Sequence, residues 1–158
     1  MALSLADHLI VYHGDAGQAV LLLPAPDCGL TIEEIAAKDV PPSREHRIIS
    51  RAQLPTHFAF IAAWRYGDDD DLPIVVDMAA AREIFRDAIR NARARVLQQL
   101  DVQFVRALET GGDTAAITAA KQALRDAPAD PAIESARDTA ELIAQWNSAL
   151  LGPSPYLA

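Results

Sequence analysis

Hydrophobic positions change their period partway along the chain. Near the start they come in short β-rich runs, HLIVYH at 8–13 and QAVLLL at 18–23. Gly14-Asp15-Ala16-Gly17 between them has the length and composition of a β-hairpin loop. Pro24 and Pro26 stop the second run because they cannot donate to a ladder, and Asp27-Cys28-Gly29 turns the chain. Thr31 then caps a short helix over 32–38, with Glu33 and Glu34 in the first turn, where the helix dipole favours negative charge. After Pro41-Pro42, EHRIIS at 45–50 predicts a third strand, which a hairpin needs in order to be stable. The stretch from Leu54 to Tyr66 carries Phe58, Phe60, Trp64 and Tyr66, four of the nine aromatics in the chain. It reads as a helical turn or irregular segment packing these rings beneath the small sheet. Beyond Gly67 and the run Asp68-Asp69-Asp70-Asp71, Leu72-Pro73-Ile74-Val75-Val76 predicts an edge strand.

From Asp77 to Thr110 the period becomes helical. The segment contains neither Gly nor Pro and predicts one helix over about 78–110, roughly 45–50 Å long, with Asp77 as its N-cap. Phe85, Ile89, Ala92, Val96, Leu100, Phe104 and Leu108 recur at steps of three or four, with Ile84, Leu97 and Val105 beside them, so one face is expected to be buried along nearly its whole length. Gly111-Gly112-Asp113 ends this helix and caps the next, over 114–126, which carries Ile117, Ala120 and Leu124 on one side. Asp130-Pro131 starts a short helical piece through Ile133. Asp138 and Glu141 form a capping box for a last helix over 139–150, burying Leu142, Ile143, Trp146 and Leu150. The expected fold is α+β: a small N-terminal antiparallel sheet with a short helix (1–76), a helical arm folded as a hairpin (77–151) and a flexible tail (152–158).

Composition narrows the function classes. Half the 158 residues are apolar (51%), enough for a folded core, and the net charge is −8 with a pI near 4.8. Such a chain lacks the surplus of cations that displaces counterions from nucleic acid, and a basic partner suits it better. The lone Cys28 excludes an internal disulfide and a cysteine zinc cluster. No apolar run approaches the roughly 18 residues of a membrane span and the N-terminus has no leader pattern, so a soluble, unprocessed protein is expected. His8, His13, His46 and His57 lack metal-ligand spacing, and four consecutive aspartates do not alternate as a calcium loop does. Cys28 has no reactive partner in sequence, and neither a nucleophile elbow nor a phosphate-cradling loop is present. The residues therefore predict no catalytic, cofactor or metal site, and a protein that is not an enzyme.

Two groups remain as candidates for partner binding. Arg82, Arg86, Arg90 and Arg93 form a line on the long helix, expected to stay exposed once the later helices cover the apolar face; the aromatic group is Phe58, Phe60, Trp64 and Tyr66. The C-terminal half also resembles the helical tails of small tail-module proteins of tailed bacteriophages and prophages. Lys121, Ala123, Leu124, Arg125 and Asp126 followed by Pro128 and Trp146 carry the likeness, and CGLTIEEIAAKDVP with RIISRAQLP resembles their head region. The ending LLGPSPYLA departs from the short Trp-Pro close of many of them. The resemblance implies a tail or tail-fibre assembly chaperone-like protein that binds phage tail or tail-fibre proteins and associates with itself, in the host cytoplasm. The alternative it implies is a permanent virion subunit of the tail, collar or decoration class.

Overall fold

A computed structural model describes residues 3–156, and the chain divides into two units, Met1–Asp77 and Met78–Ala158. The architecture is α+β, with the strands in the first unit and the long helix in the second.

In the first unit, β1 (His8–His13) is the middle strand of a three-stranded antiparallel sheet, flanked by β2 (Ala19–Leu22) and β3 (His46–Ser50). Register pairs Val11 with Leu21 on one side and Ile10 with Ile48 on the other. Alternation along β1 sends Leu9 and Val11 to one face and Ile10 and Tyr12 to the other, and both faces are covered. Ile10 meets Ile32, Ile35, Ala36 and Val40 around α1 (Ile32–Asp39). Leu9 and Val11 meet Trp64, Tyr66 and Ile74. This two-sided burial explains why β1 reads as an unbroken apolar run. Thr31 caps α1 as expected: its Oγ1 accepts from the Glu34 N–H at 3.2 Å while the Thr31 N–H donates to Glu34 Oε2 at 2.8 Å.

The aromatic segment differs from its expected form. It is two 3-10 turns, Arg51–Gln53 and Phe58–Ala63, followed by a strand, β4 (Trp64–Tyr66), that pairs antiparallel with β5 (Ile74–Val76). So the edge strand expected at 72–76 exists, but its partner lies in the aromatic stretch. Gly67 is needed where β4 ends, because a Cβ there would stand 2.1 Å from the Leu72 carbonyl oxygen.

The second unit is built on α2 (Met78–Glu109). Gly111, at φ +66°, ends it in the left-handed conformation that glycine tolerates, and the Gly112 N–H closes on the Ala107 carbonyl at 2.8 Å. Asp113, expected as the N-cap of α3 (Ala115–Asp126), stands one residue before it: the N-cap is Thr114, whose side chain makes no capping bond, while Asp113 Oδ1 accepts from the Ala115 N–H at 2.8 Å, and α3 packs back along α2. A 3-10 turn at Ala127–Ala129 leads to α4 (Pro131–Ser135), capped by Asp130.

Three expectations need correction here. The last helix is two, α5 (Thr139–Ala144) and α6 (Ser148–Leu151), because Asn147 turns its side chain to cap α6 through the Leu150 N–H at 3.1 Å. Asp138 does cap α5, but Glu141 reaches the Arg137 N–H at 2.8 Å instead of closing the box on Asp138. The expected flexible tail turns back: Tyr156 stacks on Phe85 with centroids 5.7 Å apart, and Trp146 meets both rings edge-on. Trp146 also donates its indole N–H to the Gly152 carbonyl at 3.0 Å. Residues 157 and 158 lie outside the described range.

Burial along α2 is uneven, which corrects the expected continuous stripe. Ala81, Phe85 and Ile89 are buried. Val96, Leu97, Leu100 and Phe104 are half-buried, and Val102, Val105 and Leu108 are 51%, 52% and 59% exposed.

Candidate functional site

The arginine line was expected to face solvent; most of it is spent inside the fold. Arg82 donates through Nε to the Ile133 carbonyl at 3.2 Å and through Nη2 to that of Ala136 at 2.9 Å. Arg86 Nε donates to the Pro128 carbonyl at 3.2 Å, and Arg93 Nη1 reaches Leu124 and Arg125 at 3.2 and 2.8 Å. The physical reason lies in the acceptors. Helix ends leave carbonyls without partners inside the helix, and a cation there satisfies both the hydrogen-bonding demand and the dipole. Leu124 and Arg125 belong to the last turn of α3; Ile133 and Ala136 flank the end of α4.

Carboxylates complete the clamp. Arg86 pairs with Glu83 at 2.5 Å and with Glu134 of α4, and Arg90 with Asp87 at 2.6 Å. The Arg86 hydrogen bond, with Arg82 behind it, holds the Glu134 carboxyl below its ordinary value. Arg137 does the same to Glu141. A shallow groove of about 460 Å³ runs beside Arg86, Arg90, Arg93 and Arg125, but three of these four guanidinium groups already have partners.

The aromatic candidates are divided in the same way. Phe60 and Trp64 are fully buried and Tyr66 nearly so, as core of the first unit; Phe58, 54% exposed and with its ring 5.1 Å from that of Trp64, is the one open to a partner. Burial raises the Tyr66 phenol, against the lowering effect of Arg47, whose guanidinium sits 4.8 Å over the ring. Arg47 also holds the acidic loop. It pairs with Asp70 at 2.7 Å and donates to the Gly67 and Asp68 carbonyls, tying the loop to β3.

Among the described residues no group of three or more His, Cys, Asp or Glu side chains gathers to hold a metal, and the Cys28 thiol is exposed. No helix there is long and apolar enough to cross a membrane. Comparison with known proteins finds no matching family model, curated protein or solved structure.

A second surface of α2 went unnoticed in the sequence. Ala88, Ala92 and Val96 face Trp146, Leu151 and Pro153 across a groove of about 500 Å³, with Asn91, Arg95 and Gln99 along its polar side. Arg95, Arg106 and Arg125 are exposed and form no ion pair among the described residues. The sequence shows only that Arg95 lacks a local carboxylate, a property that Arg82 and Arg93 share. Arg86 and Arg90 have a carboxylate three residues before them, whereas the neighbours of Arg95 at three and four residues are Asn91, Ala92, Gln98 and Gln99. The wall opposite depends on the returning tail, for which no pattern exists.

Proposed function

We propose that this chain works by binding another protein, without catalysis, in the setting its C-terminal residues resemble: assembly of a bacteriophage tail or tail fibre. The observation that carries the binding reading is the open distal half of α2, where Val102, Val105 and Leu108 are each more than half exposed beside unpaired arginines. Apolar side chains left exposed along one stretch of a folded helix are what partner binding uses. The phage setting is supported by the Lys121–Asp126 segment with Pro128 and Trp146, and by those residues alone.

Affinity capture of the full chain from cells assembling phage tails tests this reading. Recovery of a tail or tail-fibre protein supports it. Failure to recover any, together with an absence of tail genes around the coding sequence, removes the phage assignment. Purified virions separate the roles: stoichiometric presence of the chain would make it a structural subunit instead of an assembly factor.

A further inference from the structure

We infer that the face of α2 from Ala88 to Arg106 is a docking site for an acidic amphipathic helix of a partner protein. This rests on the reading of the chain as a protein-binding module, and names the surface and the chemistry of its partner.

The face is defined by helical spacing. Steps of three and four lead from Ala88 through Asn91, Ala92, Arg95 and Gln99 to Val102 and Arg106, placing these residues on one side of α2. At its start lies the groove walled by Trp146, Leu151 and Pro153; further on, Val102 continues it as open apolar surface. Beside this apolar track stand two guanidinium groups, Arg95 and Arg106, roughly 16 Å apart along the axis, three helical turns. Neither has an ion pair among the described residues, and from Ala88 to Arg106 none of the residues along these steps is a carboxylate; the next step of three from Arg106 reaches Glu109, which closes the face at the end of α2.

These features fit one occupant. A helix laid along the face would seat apolar residues at i, i+3, i+4 and i+7 in the groove and over Val102, while acidic residues on its flank met Arg95 and Arg106. Two fixed cations three turns apart set register and direction as well as affinity, since complementary charge selects partners and steers their approach. In a chain of net charge −8, this face is a local reversal of sign. A second copy meeting the same face about a two-fold axis would bring like flanks together, arginine against arginine. Two cations on an acidic protein are also too few to hold a nucleic-acid backbone.

The test is selection of a displayed library of randomised helical peptides, about five turns long, against the full chain. Enriched peptides are then titrated by fluorescence anisotropy against the natural chain and the double variant R95E/R106E. Neither side chain forms an ion pair among the described residues, so the double variant should keep the natural circular dichroism spectrum; R106E places a carboxylate in the last turn of α2, against the helix dipole, so the melting temperature should fall by only a few degrees. The expected result is enrichment of an apolar stripe flanked by Asp and Glu. Affinity should fall about tenfold in the double variant, the order given by two partly desolvated charge pairs, and return when Glu on the peptide is exchanged for Lys. Absence of enriched helices, enrichment without acidic bias, or equal affinity for the double variant would overturn the proposal. Capture from tail-assembling cells keeps the two readings apart. If R95E/R106E still recovers a tail protein, this face is wrong and the assembly reading stands; if the natural chain recovers none, the assembly reading itself fails.

Discussion

The two halves of α2 are alike in composition and opposite in circumstance. Up to Arg93, Ala81, Phe85 and Ile89 are buried and Ile84, Ala88 and Ala92 half-buried, while Arg82, Arg86 and Arg93 donate to carbonyls of α3, α4 and the turn between them. From Arg95 on, the apolar residues are half-buried or exposed, and Arg95 and Arg106 form no ion pair among the described residues. What differs is the number of neighbours. α3, with its 12 residues, spans only about 18 Å of the roughly 48 Å of α2, and it is the element packed on the distal half. The proximal half receives α5, α6, the 3-10 turn and Tyr156 as well. A helical stripe therefore states what can be buried, and the lengths of the returning elements decide how much is.

Paired truncations should break the symmetry of composition most strongly. Phe85 is fully buried between Trp146 and Tyr156, so Phe85→Ala should cost about 3–5 kcal/mol in denaturant unfolding. Phe104 is half-buried, with Lys121 Nζ 5.0 Å over its ring. Its truncation should cost roughly half as much, since less area leaves water on folding. Equal costs would mean that the distal half is covered after all.

The arginines sharpen the contrast next. Arg82→Met strands the Ile133 and Ala136 carbonyls in a part-buried site, and hydrogen bonds from a charged group are worth about 1.5–3 kcal/mol. Arg95→Met, which removes no fold contact, should stay within about 0.5 kcal/mol of the natural chain. Measuring the two variants side by side by urea unfolding separates structural arginines from available ones.

Much of this was legible in the sequence, for reasons that can be stated residue by residue. Thr31 with Glu34, and Asp130, marked helix starts because capping is local chemistry, decided within three residues. β1 and its hairpin were legible from period and turn. β4 was hidden because Phe58 to Tyr66 has no alternation, and its pairing with β5 spans the acidic loop. The roles of Arg82, Arg86 and Arg93 were misread because their acceptors are backbone carbonyls some 30 to 54 residues away, which no sequence pattern marks. The same applies to Tyr156: nothing in GPSPYLA announces that its ring will lie on Phe85.

Alkali tests the tail contact. Burial pushes the Tyr156 phenol up to about 12 from an ordinary 10.0. The folded state keeps a proton that the unfolded chain releases, so the contribution is fully present below pH 10 and lost as pH rises toward 12. Melting temperature should fall across that window, and Tyr156→Phe should lessen the fall. Acid tests the clamp with opposite sign. Glu134 is held below its ordinary 4.5 by Arg86, so its contribution is present above pH 4.5 and lost as pH falls through the lower folded value. That effect should be smaller, because Glu134 is exposed to solvent, where water and salt screen the pair.

The smallest expected effect is the most discriminating for function. Val102, Val105 and Leu108 lie on successive sides of the distal helix, since steps of three fall about 60° short of a full turn each time. No single intramolecular neighbour covers all three, and each exposes more than half its surface. Replacing any one by Gln removes little buried area and keeps a residue of good helix propensity, so stability should change by less than about 0.5 kcal/mol. The same substitutions in the proximal half, at Phe85 or Ile89, would bury an amide without partners and unfold a large fraction of the molecules. A flat stability response at Val102 combined with loss of a bound partner would mark that surface as kept for binding. A fall in stability of about 2 kcal/mol, on the scale of burying a whole apolar side chain, would show that the chain covers its distal half itself, and the contrast between the two halves of α2 would disappear.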